Sequence, residues 1–255
     1  MNFKLKSLVA AAVLAVAAIP AQAAMENGLV NGNGSMVLTA IDFGSGIAAS
    51  FDLGLNYNDF SGNSNFTSQT WNLTTGDYAQ AWNDFSAASV LANVRWFVAG
   101  NDSAGAGVGA RGFVQTSGTG AITNVTTSQV ITQANLYDEF YATANLLGNH
   151  SVVADGANTS TNLIQGAGRL ATSLRINNVG SVVAGSLDQT LSLMQVTTGA
   201  TPLANATQTI FADSTFSLTS NGTLIYAAVP EADTSAMLFA GLGLMGFIAR
   251  RRTKA

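Results

Sequence analysis

The chain has no cysteine, a single histidine (His150), three prolines, and no lysine between Lys6 and Lys254. Each shortage closes a class of chemistry. Without thiols there is no disulfide, no thiol nucleophile and no thiolate metal site. With one imidazole a two-histidine metal centre cannot be assembled, and no Gly-x-Ser-x-Gly elbow exists to pair His150 with a serine nucleophile. His150 stands in Gly148-Asn149-His150-Ser151 and reads as a turn residue. Charge is scarce too, at 9% of residues. Between positions 24 and 229 the cations are Arg95, Arg111, Arg169 and Arg175 against twelve Asp and Glu, a balance of about −8. Nucleic acid and anionic lipid surfaces need dense positive charge, so neither is a partner of this body. A neutral polysaccharide, or divalent cations bridging acidic polymers, fits the sign better.

What the chain has in quantity is alternation. Residues 36–41 read as a first strand. Phe51, Leu53, Leu55 and Tyr57 then alternate with Asp52, Gly54 and Asn56, a period of two with one buried face. Residues 90–98 form the clearest strand, with Val94, Trp96 and Val98 on one side. A glycine-rich turn over 100–109 leads into a partner strand at 108–116. Residues 122–133, rich in Thr, Val and Ile, also read as a strand. Further strands are expected at 71–74, 151–154, 163–165, 168–176, 181–184, 187–196 and 209–211. Phe216 and Leu218 face Leu224 and Tyr226 across Asn221-Gly222, a strong hairpin signal because both turn residues tolerate positive φ. One segment has helical spacing: Leu136, Phe140, Tyr141, Ala144 and Leu147, with Asn135 as N-cap and Gly148 as stop. Residues 27–35 read as loose, and 78–85 fit neither pattern. No internal period supports a solenoid or propeller. Many short strands with frequent turns predict an all-β body, an antiparallel β-sandwich or jelly roll with one short helix at an end.

Both ends read as addresses rather than fold. Lys4 and Lys6 precede an apolar stretch over 8–19 and then Ala21-Gln22-Ala23. That order predicts a secretory signal peptide over 1–23, cut between Ala23 and Ala24, with the Sec translocon and signal peptidase as partners. Residues 24–229 then form one secreted β-rich domain. At the far end, over 230–255, come Pro230, Glu231, Ala232, Asp233, Thr234 and Ser235, an uncharged apolar run over 236–249, and Arg250, Arg251 and Arg252. A helix of this run covers roughly 21 Å of a ~30 Å hydrocarbon core. Gly241, Gly243 and Gly246 weaken it further. The three arginines hold that end on the cytoplasmic side. A plain, weak single-pass anchor would account for the run alone.

The order of parts resembles something more specific, the tripartite PEP-CTERM sorting tail of Gram-negative, exopolysaccharide-producing bacteria. The resemblance rests on Val229-Pro230-Glu231, the run from Ala236 to Leu244, Gly246-Phe247 and the arginines. The third signal position is Ala232 where the family name supplies a second proline. What the resemblance implies is recognition by an exosortase, a membrane-embedded cysteine protease or transpeptidase. It also implies transient anchoring in the inner membrane, then a place at the cell surface or outside the cell, with exopolysaccharide and biofilm.

Within the body, candidate chemistry is sparse. A glycosidase needs two carboxylates about 5–10 Å apart. Asp138 and Glu139 are adjacent on the expected helix, point about 100° apart, and suit its N-terminal end. Calcium needs only oxygen ligands, and Asn56, Asn58, Asp59 and Asn63 share one loop, Asn101 and Asp102 another. Neither follows the EF-hand spacing, and Asn and Asp favour turns anyway. No cofactor is therefore expected, with calcium in one of these loops left as the weak alternative. Tyr78 and Trp82, four residues apart, are the candidate sugar-stacking pair, while Trp96 belongs to a core face. The sequence reads as an exported, non-enzymatic β-protein, with a carbohydrate-binding module as the alternative and a polysaccharide hydrolase behind it.

Overall fold

Every one of the eight residues from Ser35 to Asp42 is buried. A strand hidden on both faces cannot lie on the outside of a two-layer body, and this one strand explains the architecture. The computed structural model describes residues 25–42, 44–60, 67–118, 125–146, 159–162 and 184–228. Their strands are β1 (Ser35–Asp42), β2 (Ile47–Asn56), β3 (Gln69–Asn72), β4 (Val94–Asp102), β5 (Gly112–Ser117), β6 (Thr159–Asn162), β7 (Gly185–Ser186), β8 (Thr190–Thr197), β9 (Thr207–Leu218) and β10 (Thr223–Ala228). All belong to one antiparallel sheet in the order β3-β10-β9-β8-β5-β4-β1-β2-β6, with β7 pairing β4 beside this path. The expected two-sheet sandwich is corrected here: the all-β reading holds, but the strands form a single ten-stranded sheet that curls into a nearly closed barrel.

The seam shows how near closure comes. β3 ends the strand order and β2 stands one strand from its other end, yet the Trp71 indole of β3 donates to the Leu53 carbonyl of β2 at 3.1 Å. The Tyr78 hydroxyl donates to the neighbouring Asp52 carbonyl at 2.8 Å. β2 has β6 beside it only over Ala48 to Phe51, so side chains take over where the strand partner stops. The register of β2 on β1 slips between Ser35 and Val37, opposite a bulge in which Gly54 adopts φ +68°. A left-handed residue there suits glycine.

Period-two alternation sends one set of side chains inward. Met36, Leu38, Phe51, Trp96, Val98, Val114, Leu193, Phe216 and Tyr226 fill the barrel. The other set packs outward under a helix. Val37, Ile41, Phe97, Phe113, Met194 and Val196 meet Val130, Tyr137, Phe140, Tyr141 and Ala144. These last lie on α4 (Thr127–Leu146), preceded in the chain by the short α1 (Gly28–Asn31) and α2 (Tyr57–Phe60) and by α3 (Ala79–Ala88). At 20 residues, α4 corrects both the expected short helix and the expected strand over 122–133, of which 127–133 are helical. Its start is a capping box. The Thr126 N–H donates to Gln129 Oε1 at 2.8 Å, and the Gln129 N–H donates back to Thr126 Oγ1 at 3.4 Å. The segment expected to be loose, 27–35, is instead strapped down: Gly28 N–H donates to Asp138 Oδ1 at 2.8 Å, and Asn145 brackets both backbone groups of Met25 at 3.0 Å. The strands expected over 151–154, 163–165 and 168–176 lie outside the described residues, as does nearly all of the one at 181–184.

Candidate functional site

The hairpin that ends the body is built as its sequence suggests. Leu224 pairs with Leu218 and Tyr226 with Phe216, and of the two turn residues only Gly222 takes a positive φ, +81°. The Tyr226 ring meets Phe216 at 5.0 Å and Phe60 at 5.3 Å between centroids. Its hydroxyl hydrogen-bonds Ser214 Oγ at 2.9 Å. The strand is held to its final residue. Ala228 pairs with Ser214, and its N–H donates to Ser68 Oγ at 3.1 Å. One residue, Val229, then separates this pinned end from Pro230 and Glu231.

The carboxylates of the body serve its backbone. Asp42 accepts from the Gly44 N–H (2.8 Å), the Val90 N–H (2.8 Å) and the Ser45 hydroxyl (2.7 Å). Burial alone would raise its pKa, but these donors outweigh it and hold the carboxyl below its ordinary value. Asp138 ties the N-terminal strap to the sheet, accepting from Gly28, Asn101 Nδ2 (2.8 Å) and the Ser103 hydroxyl. Asp52 accepts from the Ser35 hydroxyl at 2.9 Å and the Gly54 N–H at 3.0 Å. Burial dominates there, and its carboxyl is pushed up to about 7.

The candidate stacking pair, on α3 and the turn before it, is packed against the core that fills the barrel. Trp82 is 3% exposed, packed on Phe51 and Phe85, and Tyr78 meets the edge of the same Phe51 ring at 6.0 Å. This placement runs against a platform at Trp82, since a ring enclosed by core offers no face to a sugar. Trp96 is fully buried, as its strand pattern predicts. The oxygen-rich loops are occupied by turn hydrogen bonds: Asp59 accepts from the Asn56 N–H at 2.8 Å, and Asp102 from the Ala104 N–H at 2.9 Å. Asn101 Nδ2 donates to Ala134 and Asp138. Among the described residues no three His, Asp or Glu side chains gather as a metal site. Among them, too, no helix is long and apolar enough to cross a membrane. Asn63, His150, the signal-peptide residues Ala21, Ala23 and Ala24, and the tail with Pro230, Glu231, Ala232, Arg250, Arg251 and Arg252 lie outside the described residues.

Comparison with known proteins identifies the segment beyond β10. Residues 228–252 match the PEP-CTERM protein-sorting motif. The motif starts on the last residue of β10, so the folded body and the sorting signal share Ala228. A chain with this motif is an exported, cell-surface-associated protein sorted by an exosortase. Neither the curated proteins nor the solved structures offer a match to the chain.

Proposed function

We propose that the barrel is a non-catalytic surface or matrix module of a Gram-negative cell. It leaves through the Sec route, is held briefly in the inner membrane by its tail, and is released or transferred by an exosortase to work among exopolysaccharide in biofilm. The observation that carries this reading is the junction at Ala228: the last strand is paired and pinned up to the residue on which the sorting motif begins. A body finished upstream of its address is cargo. These carboxylates support the non-catalytic part, because Asp42, Asp52 and the half-buried Asp138 are taken up in holding turns, the bulge and the strap.

The test is an intact-mass measurement on protein from surface, medium and matrix fractions of a wild-type strain and an exosortase-deficient one. The expected wild-type product begins at Ala24, has lost the arginine end, and co-purifies with polysaccharide. The deficient strain should keep the whole tail in the membrane. A product that retains Arg250 to Arg252 and stays embedded in both strains would refute the sorting role. A processed product absent from the matrix would refute the matrix role.

A further inference from the structure

A cleft of about 290 Å³ opens between the turn after β4 and the turn after β8, against the first turn of α4. Arg111, Thr127, Ile131, Thr198 and Pro202 are among the residues that line it. Its walls are set by backbone hydrogen bonds rather than by a ligand. Gly109 N–H donates to the Thr198 carbonyl at 2.8 Å, and Thr198 N–H to the Arg111 carbonyl at 3.0 Å. Gly199 N–H donates to Thr127 Oγ1 at 2.8 Å, and Ser128 N–H to the Pro202 carbonyl at 3.0 Å.

Arg111 stands at the edge of this cleft with its side chain tethered. Arg111 Nε donates to the Gly105 carbonyl at 2.7 Å, and among the described residues no carboxylate closes an ion pair with it. Asp102 feels its charge, but that carboxyl is raised first by its own burial. A body with so few cations thus keeps one of them anchored through Nε, in a largely apolar hollow beside the positive end of a 20-residue helix. The planar fork of arginine suits a carboxylate held side-on. One cation balances one carboxylate, whereas a phosphate would bring nearly twice the charge to a body already acidic.

We propose that this cleft binds a carboxylate carried on a sugar-sized body, a uronic acid unit of the matrix polysaccharide. The carboxylate takes the guanidinium of Arg111, and the C–H face of the ring takes Ile131 and Pro202. This rests on the matrix role and names its ligand. The net acidity of the body repels an acidic polymer at range, but that repulsion is screened beyond about 10 Å at 0.1 M salt, while the seated contact is not.

The test is calorimetric titration of the secreted protein, purified from culture medium, with trigalacturonate, with a neutral trisaccharide and with acetate. Trigalacturonate should bind with a Kd of about 1 mM or tighter. Arg111→Gln should weaken it by roughly tenfold or more, and Arg111→Lys should recover part. Ile131→Glu, which sets a repelling charge in the opposite wall, should also lose it; melting curves unchanged from wild type keep either loss from being mere unfolding. The neutral sugar and acetate should give no heat at the same concentration. No binding of trigalacturonate by the wild type, equal binding by Arg111→Gln, or acetate binding as tightly as the oligomer would each overturn the proposal. Matrix retention of both wild type and Arg111→Gln would remove this cleft and leave the matrix role standing. Absence of the wild type from the matrix would remove that role whatever the cleft binds.

Discussion

Replacing Asp52 with asparagine should flatten the pH dependence of stability between pH 4 and 8. The wild-type carboxyl is buried beside the barrel seam and titrates near 7 in the folded state instead of 3.8. Burial is the main cause and the nearby charge of Glu26 adds to it, while the Gly54 N–H and the Ser35 hydroxyl pull the other way. Because the folded state holds this proton more tightly, the stability it contributes is complete below pH 3.8. It is then lost as pH rises through about 7. Three pH units at 1.36 kcal/mol each set the loss at about 4 kcal/mol. That is a large share of the roughly 5–15 kcal/mol that holds a domain together. Asparagine keeps the shape and cannot ionise. At pH 4 the two proteins are compared as neutral isosteres, which isolates the cost of the changed hydrogen bonds. At pH 8 only the wild type carries a charge at position 52. In thermal melts the wild type should therefore lose about 8–16 °C relative to Asp52→Asn between those pH values. Taking the difference cancels the other carboxylates. Parallel Tm curves for the two proteins would refute the argument, for they would mean that Asp52 ionises freely at the seam.

Asp42 has the opposite sign. Its carboxyl is held below 3.8, so its contribution is present above that pH and is lost as pH falls through the folded value. Asp42→Ala should cost about 2 kcal/mol in urea unfolding at pH 7, because the Gly44 and Val90 N–H groups lose a charged acceptor. Trp82→Ala should cost about 3–5 kcal/mol as a core cavity; an unchanged melt with lost polysaccharide binding would restore the ring as a sugar platform. Thr126→Ala should remove about 1 kcal/mol by opening the capping box of α4, read as a lower urea midpoint. Gly-Ser-Gly-Ser inserted between Ala228 and Val229 should speed tail removal in pulse-chase labelling if the pinned strand end restricts the protease, and an unchanged rate would show that it does not.

The strands were legible because period two survives in β2, β4 and β8, and the final hairpin because Asn221-Gly222 marks its turn. How the strands assemble was less so. β5 pairs with β8 across some eighty residues of chain, and β3 with β10 across about 150, which no local pattern records. The number of buried faces was hidden for a related reason. Alternation reports one apolar face, but the outer face of β1 carries Val37 and Ile41, which need α4 above them. That helix was half legible. Thr, Val and Ile content over 127–133 argued for a strand, while Thr126 and Gln129 already spelled a capping box three residues apart. Val130, Ala134, Tyr137, Tyr141 and Ala144 continue the stripe. Trp82 shows the limit of composition, since an aromatic in an ambiguous segment is as fit for a wall as for a surface. Arg111 carried no motif. The cleft around it is made by turns whose backbones meet only in the fold.

The single residue between Ala228 and Pro230 has a mechanical meaning. A fully extended residue reaches about 3.5 Å, so under the proposed sorting the signal at Pro230 and Glu231 is presented within about 10 Å of the pinned end of β10. On that proposal, whatever seizes the signal must work against the rim where β10 ends.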